Sequence, residues 1–223
     1  MVDSELHFWC GQHRNRKSIR VAAIGDLANL IAGRVLAIVE LMSKSKDEVY
    51  ISVDVEASGP IPGEYSMLSI GACEVANLNN GFYKELQPIS EKYVQKALDV
   101  CGLSIEELRK SGTSPYEAMR EFAEWTIWTA GERKPIFVGY NAGFDWSFIN
   151  YYFIRFTGEN PFGVSSLDIK SVWLGMTGSS WSGTSKTQVK RKLGIDAEHT
   201  HNALDDAKEQ GVIFGKMLGR LSA

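Results

Sequence analysis

The segment from Val49 to Glu56 constrains the fold more than any other. Val49, Ile51, Val53 and Val55 alternate with Tyr50, Ser52, Asp54 and Glu56, and a period of two is the pattern of a β-strand. Residues two apart on a strand share a face, so Asp54 and Glu56 point the same way, about 6.7 Å apart along the chain. Two carboxylates side by side on a mostly apolar strand repel each other. A divalent cation is the simplest compensation, since flexible acids can converge on a cation pair ~3.5–4 Å apart. A solvated strand face is the plain alternative.

The rest of the pattern builds around that strand. Gly59, Pro60, Pro62 and Gly63 end it in a turn. Ser66 to Val75 reads as a second strand. Asn79-Asn80-Gly81 is a hairpin signal leading into a third strand, Phe82 to Leu86. Ser104 with Glu107 fits a capping box, and Ser114-Pro115 opens a helix through Trp128. Pro135 to Tyr140 is a short apolar strand, and Asp145 to Phe156 is a helix apolar nearly all round, expected to be buried. Ser165 to Asp168 reads as a strand, Thr184 to Leu193 as a short helix stopped by Gly194, and Ala203 to Leu218 as the last helix. The order β-β-β-α-α-β-α-β-α-α predicts an α/β fold, a mixed sheet opened by three antiparallel strands and flanked by helices.

Residues 1–48 differ from this pattern. Arg14, Arg16, Lys17 and Arg20 make a basic start that overlaps the beginning of an apolar stretch from Ile19 to Met42, interrupted further on by Asp26, Arg34 and Glu40. Three charges there make a membrane span a poor reading, and no small-residue cleavage site stands out. The segment is expected to be an N-terminal extension, either an amphipathic helix or an upstream addition to a natural start at Met42-Ser43-Lys44-Ser45-Lys46. Residues 49–223 then form the main domain, and a chain of 223 residues with 44% hydrophobic content suits one core of that size. The odd, widely spaced cysteines Cys10, Cys73 and Cys101 have no metal-ligand spacing and suit a reducing, cytoplasmic compartment.

Two more segments carry acids. Asp145 falls at the junction of a short strand and a buried helix, where a carboxylate is favoured even as a helix-end residue. In His201-Asn202-Ala203-Leu204-Asp205-Asp206-Ala207, Asn202 reads as an N-cap. Ala203, Ala207, Gly211, Phe214 and Leu218 make the inward stripe, which Asp206 flanks, while Asp205 falls on the side of Glu209 and Lys216. Asp206 is therefore assigned to the site and Asp205 to support of the helix end.

Taken together, the segments resemble the three motifs of the DEDDh (DnaQ-like) 3′→5′ exonucleases, a branch of the RNase H-like superfamily that includes RNase T, oligoribonuclease and proofreading exonucleases. Asp54-Val55-Glu56-Ala57-Ser58-Gly59 is similar to the first motif, D-x-E-[TA]-[TS]-G. Asn141 through Phe144-Asp145 is similar to the second, N-x-x-[FY]-D. His201 through Asp206-Ala207 is similar to the third, H-x-A-x-x-D-A, with His where a tyrosine-type relative has Tyr. The resemblance runs in order from about Val49 to Leu218.

The resemblance implies a 3′→5′ exonuclease acting on single-stranded DNA or RNA and releasing nucleoside 5′-monophosphates. Asp54, Glu56, Asp145 and Asp206 would hold two Mg²⁺ or Mn²⁺ ions, a fit between hard cations and oxygen ligands. One ion would activate water and the other would stabilise the leaving 3′ oxygen. His201 would take the proton from the attacking water, with His199 as the rival base. Ala57, Ser58, Met67, Leu68, Asn141 and Phe144 would meet or support the terminal nucleotide. Each also has a plain reading: a turn serine, core apolar residues, a core aromatic. Two divalent cations add four positive charges and take the formal −3 to +1, so a mildly acidic chain does not exclude a nucleic-acid partner. Trp173 and Trp181 beside Lys186, Lys190, Arg191 and Lys192 suit stacking and phosphate contact, or a buried Trp beside a solvated basic helix. No membrane partner is expected, and a homodimer is compatible with the family. The alternative function is a non-catalytic nucleic-acid- or protein-binding module on the same fold.

Overall fold

The computed structural model describes residues 47–196 and 202–221. The expectations for residues 1–46, for Cys10 and for His199 and His201 lie outside the described residues.

The first strand, β1 (Glu48–Ala57), pairs antiparallel with β2 (Met67–Glu74), which pairs antiparallel with β3 (Asn77–Glu85). On its other side β1 runs parallel to β4 (Lys134–Gly139), and β4 runs parallel to β5 (Ser166–Asp168). The sheet order is β3-β2-β1-β4-β5. Seven α-helices accompany the sheet among the described residues: α1 (Gln95–Cys101), α2 (Ile105–Ser111), α3 (Pro115–Ala130), α4 (Gly143–Tyr152), α5 (Ile169–Thr177), α6 (Lys186–Leu193) and α7 (Ala203–Leu221), with a π-helical turn at Phe153–Thr157 after α4 and a 3₁₀ turn at Trp181–Thr184 before α6. This is the mixed sheet expected, three antiparallel strands and then parallel ones.

The alternation in β1 divides the core between the two faces of the sheet. Ile51, Val53, Val55 and Ala57 pack with Met119 and Phe122 of α3 and with Phe148, Ile149 and Tyr152 of α4. Tyr50 turns the other way, edge-on to Phe214 of α7, in a second cluster with Trp173, Val189, Ile213 and Met217. Asp54 and Glu56 share the parity of Tyr50 and so face α7.

Local signals account for the helix ends. The Ser104 and Ser114 hydroxyls accept the backbone N–H of Glu107 and Glu117, and Pro115 opens α3. The Asn202 side chain accepts the N–H groups of Leu204 and Asp205 at the start of α7. The hairpin between β2 and β3 differs from its sequence signal. Its turn falls at Val75-Ala76, and Asn79-Asn80-Gly81 lies within β3, with Gly81 opposite Cys73 beside a bulge. Asn80 is held there by tertiary contacts to Glu74, Thr129 and Trp125. The element order expected from sequence omits α1 and α5, although Ile169, Val172, Trp173 and Met176 of α5 follow helical spacing and pack together in the second cluster.

Candidate active site

The acids meet at the carboxyl ends of the parallel strands, the usual crevice for ligands in open α/β sheets. One carboxylate oxygen from each of Asp54, Glu56 and Asp206 lies within 4.8 Å of the others. Asp206 is nearly buried on α7, while Asp205 is exposed. The pairing of β1 with β4 ends at Ser52 and Val138, so β1 runs on without a neighbour on that side. The N–H of Val55 is instead taken by Oδ1 of Asp145 at 3.0 Å, which pins the buried Asp145 carboxylate against β1.

A strained turn delivers Asp145. Asn141 has φ of +67°, a left-handed conformation uncommon outside glycine and tolerated best by Asn and Asp. Oδ1 of Asp168 accepts the N–H groups of Asn141 and Ala142 at 2.9 and 3.1 Å. Its Oδ2 accepts the N–H and hydroxyl of Ser171, capping α5. Asp168 is thus a brace that ties the β4–α4 turn to β5 and α5.

The cluster is costly without a counter-charge. Burial first, then Asp145, Asp206 and Glu56, push the Asp54 carboxyl well above its usual range. Burial, Asp206 and Asp145 push Glu56 up to about 7. Asp145 also rises to about 7, mainly by burial, against the lowering effect of the Val55 hydrogen bond. Hard oxygen donors converging this closely, and protonating this readily, fit a divalent cation.

Several contributors escaped the motif reading. Gln210, one helical turn after Asp206, donates through Nε2 to Oδ1 of Asp54 at 2.5 Å and accepts the N–H of Tyr140 through Oε1 at 2.9 Å. The i, i+4 spacing from Asp206 is the signal that could have found it. Glu209, expected on the outer side, is buried and paired with Lys186 and Lys190 of α6. Gly71 faces Asp54 across the β1–β2 ladder, and a Cβ there would lie 2.0 Å from the Ala203 carbonyl carbon. This position admits only hydrogen if α7 is to sit on the sheet.

Of the six residues expected at the terminal nucleotide, Asn141 is exposed on its turn and does not line the groove, and the other five separate into two groups. Glu56, Ala57 and Phe144 line an apolar groove of about 460 Å³, whose other wall is Val94, Ala97 and Val100 at α1. Ser58, Met67 and Leu68 are fully buried. The Ser58 hydroxyl donates to the Lys92 carbonyl and accepts the Ser66 N–H, and the Met67 N–H donates to the Tyr152 hydroxyl. These three shape the wall from behind and present no surface to the groove. Trp173 is buried and Trp181 is exposed with the Lys170 ammonium over its ring.

An RNase H-like sheet with acids from β1, from the β4–α4 junction and from α7 defines a nuclease fold. The chain belongs to the exonuclease family (RNase T), whose model matches residues 51–214. It is 44% identical over 180 residues to the 3′-5′ DNA exonuclease Cap18 of Escherichia coli, covering 80% of this chain and 96% of that protein. Among solved structures it resembles the nuclease domain of 3′hExo, a DEDDh family member bound to rAMP, with a TM-score of 0.63 and 15% identity over 77% of this chain and 92% of that one. It also resembles E. coli Exonuclease I in complex with a dT13 oligonucleotide, with a TM-score of 0.60 and 16% identity over 75% of this chain and 40% of that one. No helix among the described residues is long and apolar enough to cross a membrane.

Proposed function

We propose that this exonuclease trims single-stranded DNA from its 3′ end and releases nucleoside 5′-monophosphates. The observation that carries the reading is the convergence of Asp54, Glu56 and Asp206 within 4.8 Å, beside Asp145. DNA is preferred over RNA because the 44% identical relative is a DNA exonuclease.

These four acids would hold two Mg²⁺ or Mn²⁺ ions, which supply a water nucleophile at neutral pH and offset the charge developing at phosphorus. The protein does the rest. The groove between Phe144 and α1 takes the terminal nucleoside against apolar walls. Ala57 brings β1 backbone to its floor, and Asn141 holds the turn that places Phe144. Gln210 keeps Asp54 in one rotamer. His201, outside the described residues, is assigned as the base that takes the proton of the attacking water. Water adds to phosphorus, the bond to the 3′ oxygen of the preceding nucleotide breaks, and that oxygen takes its proton from solvent water. Residues 49–223 are assigned as the catalytic domain, with 1–48 appended to it. The free thiols of Cys73 and Cys101 suit a cytoplasmic setting.

A time course on matched 5′-labelled DNA and RNA oligonucleotides, with Mg²⁺ and then Mn²⁺, tests this. Single-nucleotide ladders, 5′-monophosphate products and an uncut circular strand are expected. Cutting of the circle, or an inert linear strand with every metal, would sink the proposal.

A further inference from the structure

We propose that Trp181 and Lys170 form a strand-binding site beside the acid cluster, where a base upstream of the scissile phosphodiester stacks on the indole and a backbone phosphate meets the ammonium. The inference rests on the exonuclease reading above and deepens it. Both residues are fastened, by separate contacts, to the turn that delivers Asp145. Lys170 lies in the first turn of α5, two residues after Asp168, whose Oδ1 accepts the N–H groups of Asn141 and Ala142. Trp181 opens the 3₁₀ turn that ends at Thr184. The Thr184 hydroxyl donates to the Trp181 carbonyl at 2.7 Å, and the Thr184 carbonyl accepts the Tyr140 hydroxyl at 2.6 Å. Between these tethers the Lys170 ammonium lies 4.0 Å from the centre of the Trp181 ring. Because β1, β4 and β5 run parallel, α5 starts at the same edge of the sheet that carries the acids. Two strand spacings, about 10 Å, separate β5 from β1. The terminal nucleoside is assigned to the groove at Phe144 and α1, so a contact at that distance from the acids falls to upstream nucleotides.

The pair is free to take a ligand. Trp181 is 60% exposed although Lys170 covers one face of its ring. A ring covered on both faces could not keep that exposure, so the other face is open. Neither the indole N–H nor the Lys170 ammonium has a hydrogen bond or ion pair among the described residues. Core packing accounts for Trp173, which is buried in the second cluster, and it does not account for Trp181. An open aromatic face beside a free cation is the combination that grips single strands, because every base has a face to stack and every step has a phosphate. The cation–π contact holds the indole in one orientation before the strand arrives, which lowers the entropy lost on stacking. A protein partner would ask for a wider apolar patch. The neighbours of Trp181 are instead Ser179, Ser180, Ser182 and Gly183, small and polar residues that leave room for a strand.

The test is steady-state cleavage of a long 5′-labelled oligothymidylate and of 5′-labelled dithymidylate by the full-length protein with Mg²⁺, over a series of salt concentrations. Trp181→Leu keeps apolar bulk and removes the flat face. Its loss of kcat/KM on the long strand should exceed its loss on the dinucleotide by roughly fivefold to a hundredfold, and the difference should lie in KM rather than kcat. Trp181→Phe, which restores an aromatic face, should recover most of it. Lys170→Met should flatten the dependence of log kcat/KM on log salt for the long strand by about 0.7, the share of one single-strand phosphate contact. Lys170→Arg, which keeps the charge, should restore the slope. Equal losses on the two substrates would mark a structural role and overturn the proposal, as would an unaltered kcat/KM on the long strand or no rescue by Phe. If Trp181→Leu fails to fold, Trp181→Gln gives the same readout. A wild type that leaves both strands intact sinks the exonuclease reading and this inference together. A wild type that cuts the long strand no better than Trp181→Leu sinks the inference alone.

Discussion

Gly71 and Asp54 face each other across the β1–β2 ladder, and the missing side chain of one sets the environment of the other. A Cβ on Gly71 would fall 2.0 Å from the Ala203 carbonyl carbon and 2.1 Å from the Leu204 nitrogen. The first turn of α7 therefore rests directly on β2, which lets Asp206, three residues on, reach Asp54. Both clashing atoms are backbone, so no rotamer change can relieve them.

Gly71→Ala should lift the start of α7 from the sheet. Overpacking of this kind costs about 1–3 kcal/mol, and a displacement near 1 Å at a catalytic group costs roughly a hundredfold in rate. Thermal unfolding and oligonucleotide cleavage read the two effects. Wild-type rates in Gly71→Ala would mean that α7 does not need this approach.

The two neighbouring aspartates on α7 should behave oppositely. Asp206 is nearly buried within the acid cluster and Asp205 is exposed. Asp206→Asn should cut kcat by more than the 10–100-fold typical of residues that only support a metal ligand. Asp205→Asn should change stability by no more than about 0.5 kcal/mol and leave most of the activity. Equal losses in the two variants would contradict the assignment.

Gln210→Leu should weaken both ends of its bridge. Asp54 loses its hydrogen bond, and the Tyr140 N–H loses its acceptor. An unsatisfied buried donor costs about 1–3 kcal/mol. A loose Asp54 should lower metal affinity by about 10–100-fold, measured by Mg²⁺ titration of activity. An unchanged Mg²⁺ requirement would argue that Gln210 supports only the turn at Tyr140.

Stability should depend on pH and metal in a defined direction. Glu56 and Asp145 titrate near 7 in the fold, against about 4 in an unfolded chain. Between those values the native state holds protons that the unfolded state has released, so stability falls as pH rises through that window and the cost is complete above about 7. In EDTA, Tm should therefore be higher near pH 5 than near pH 8 as far as these acids contribute. Added Mg²⁺ should raise Tm more at pH 8, where it binds deprotonated carboxylates without displacing protons. A Mg²⁺ effect larger at pH 5 would reverse the sign and defeat the account.

The amino-acid sequence determined β1 and the starts of three helices, because alternation along β1 and caps at Ser104, Ser114 and Asn202 are local signals that their own neighbours satisfy. It also put Asp54 and Glu56 on one face and distinguished Asp206 from Asp205, since both follow from the period of a strand or a helix. What lay beyond it depends on residues far apart in the chain. Glu209 reads as an outer-face acid until α6 brings Lys186 and Lys190 against it. Ser58, Met67 and Leu68 sit close in sequence to the first acids, yet tertiary hydrogen bonds and core packing turn them inward and leave the groove to Phe144 and the unforeseen α1. Asn79-Asn80-Gly81 carries a turn signal, but Asn80 is worth more bonded to Glu74, Thr129 and Trp125 within β3. Periodicity reports which face a side chain leaves from, and only the folded chain decides what stands opposite that face.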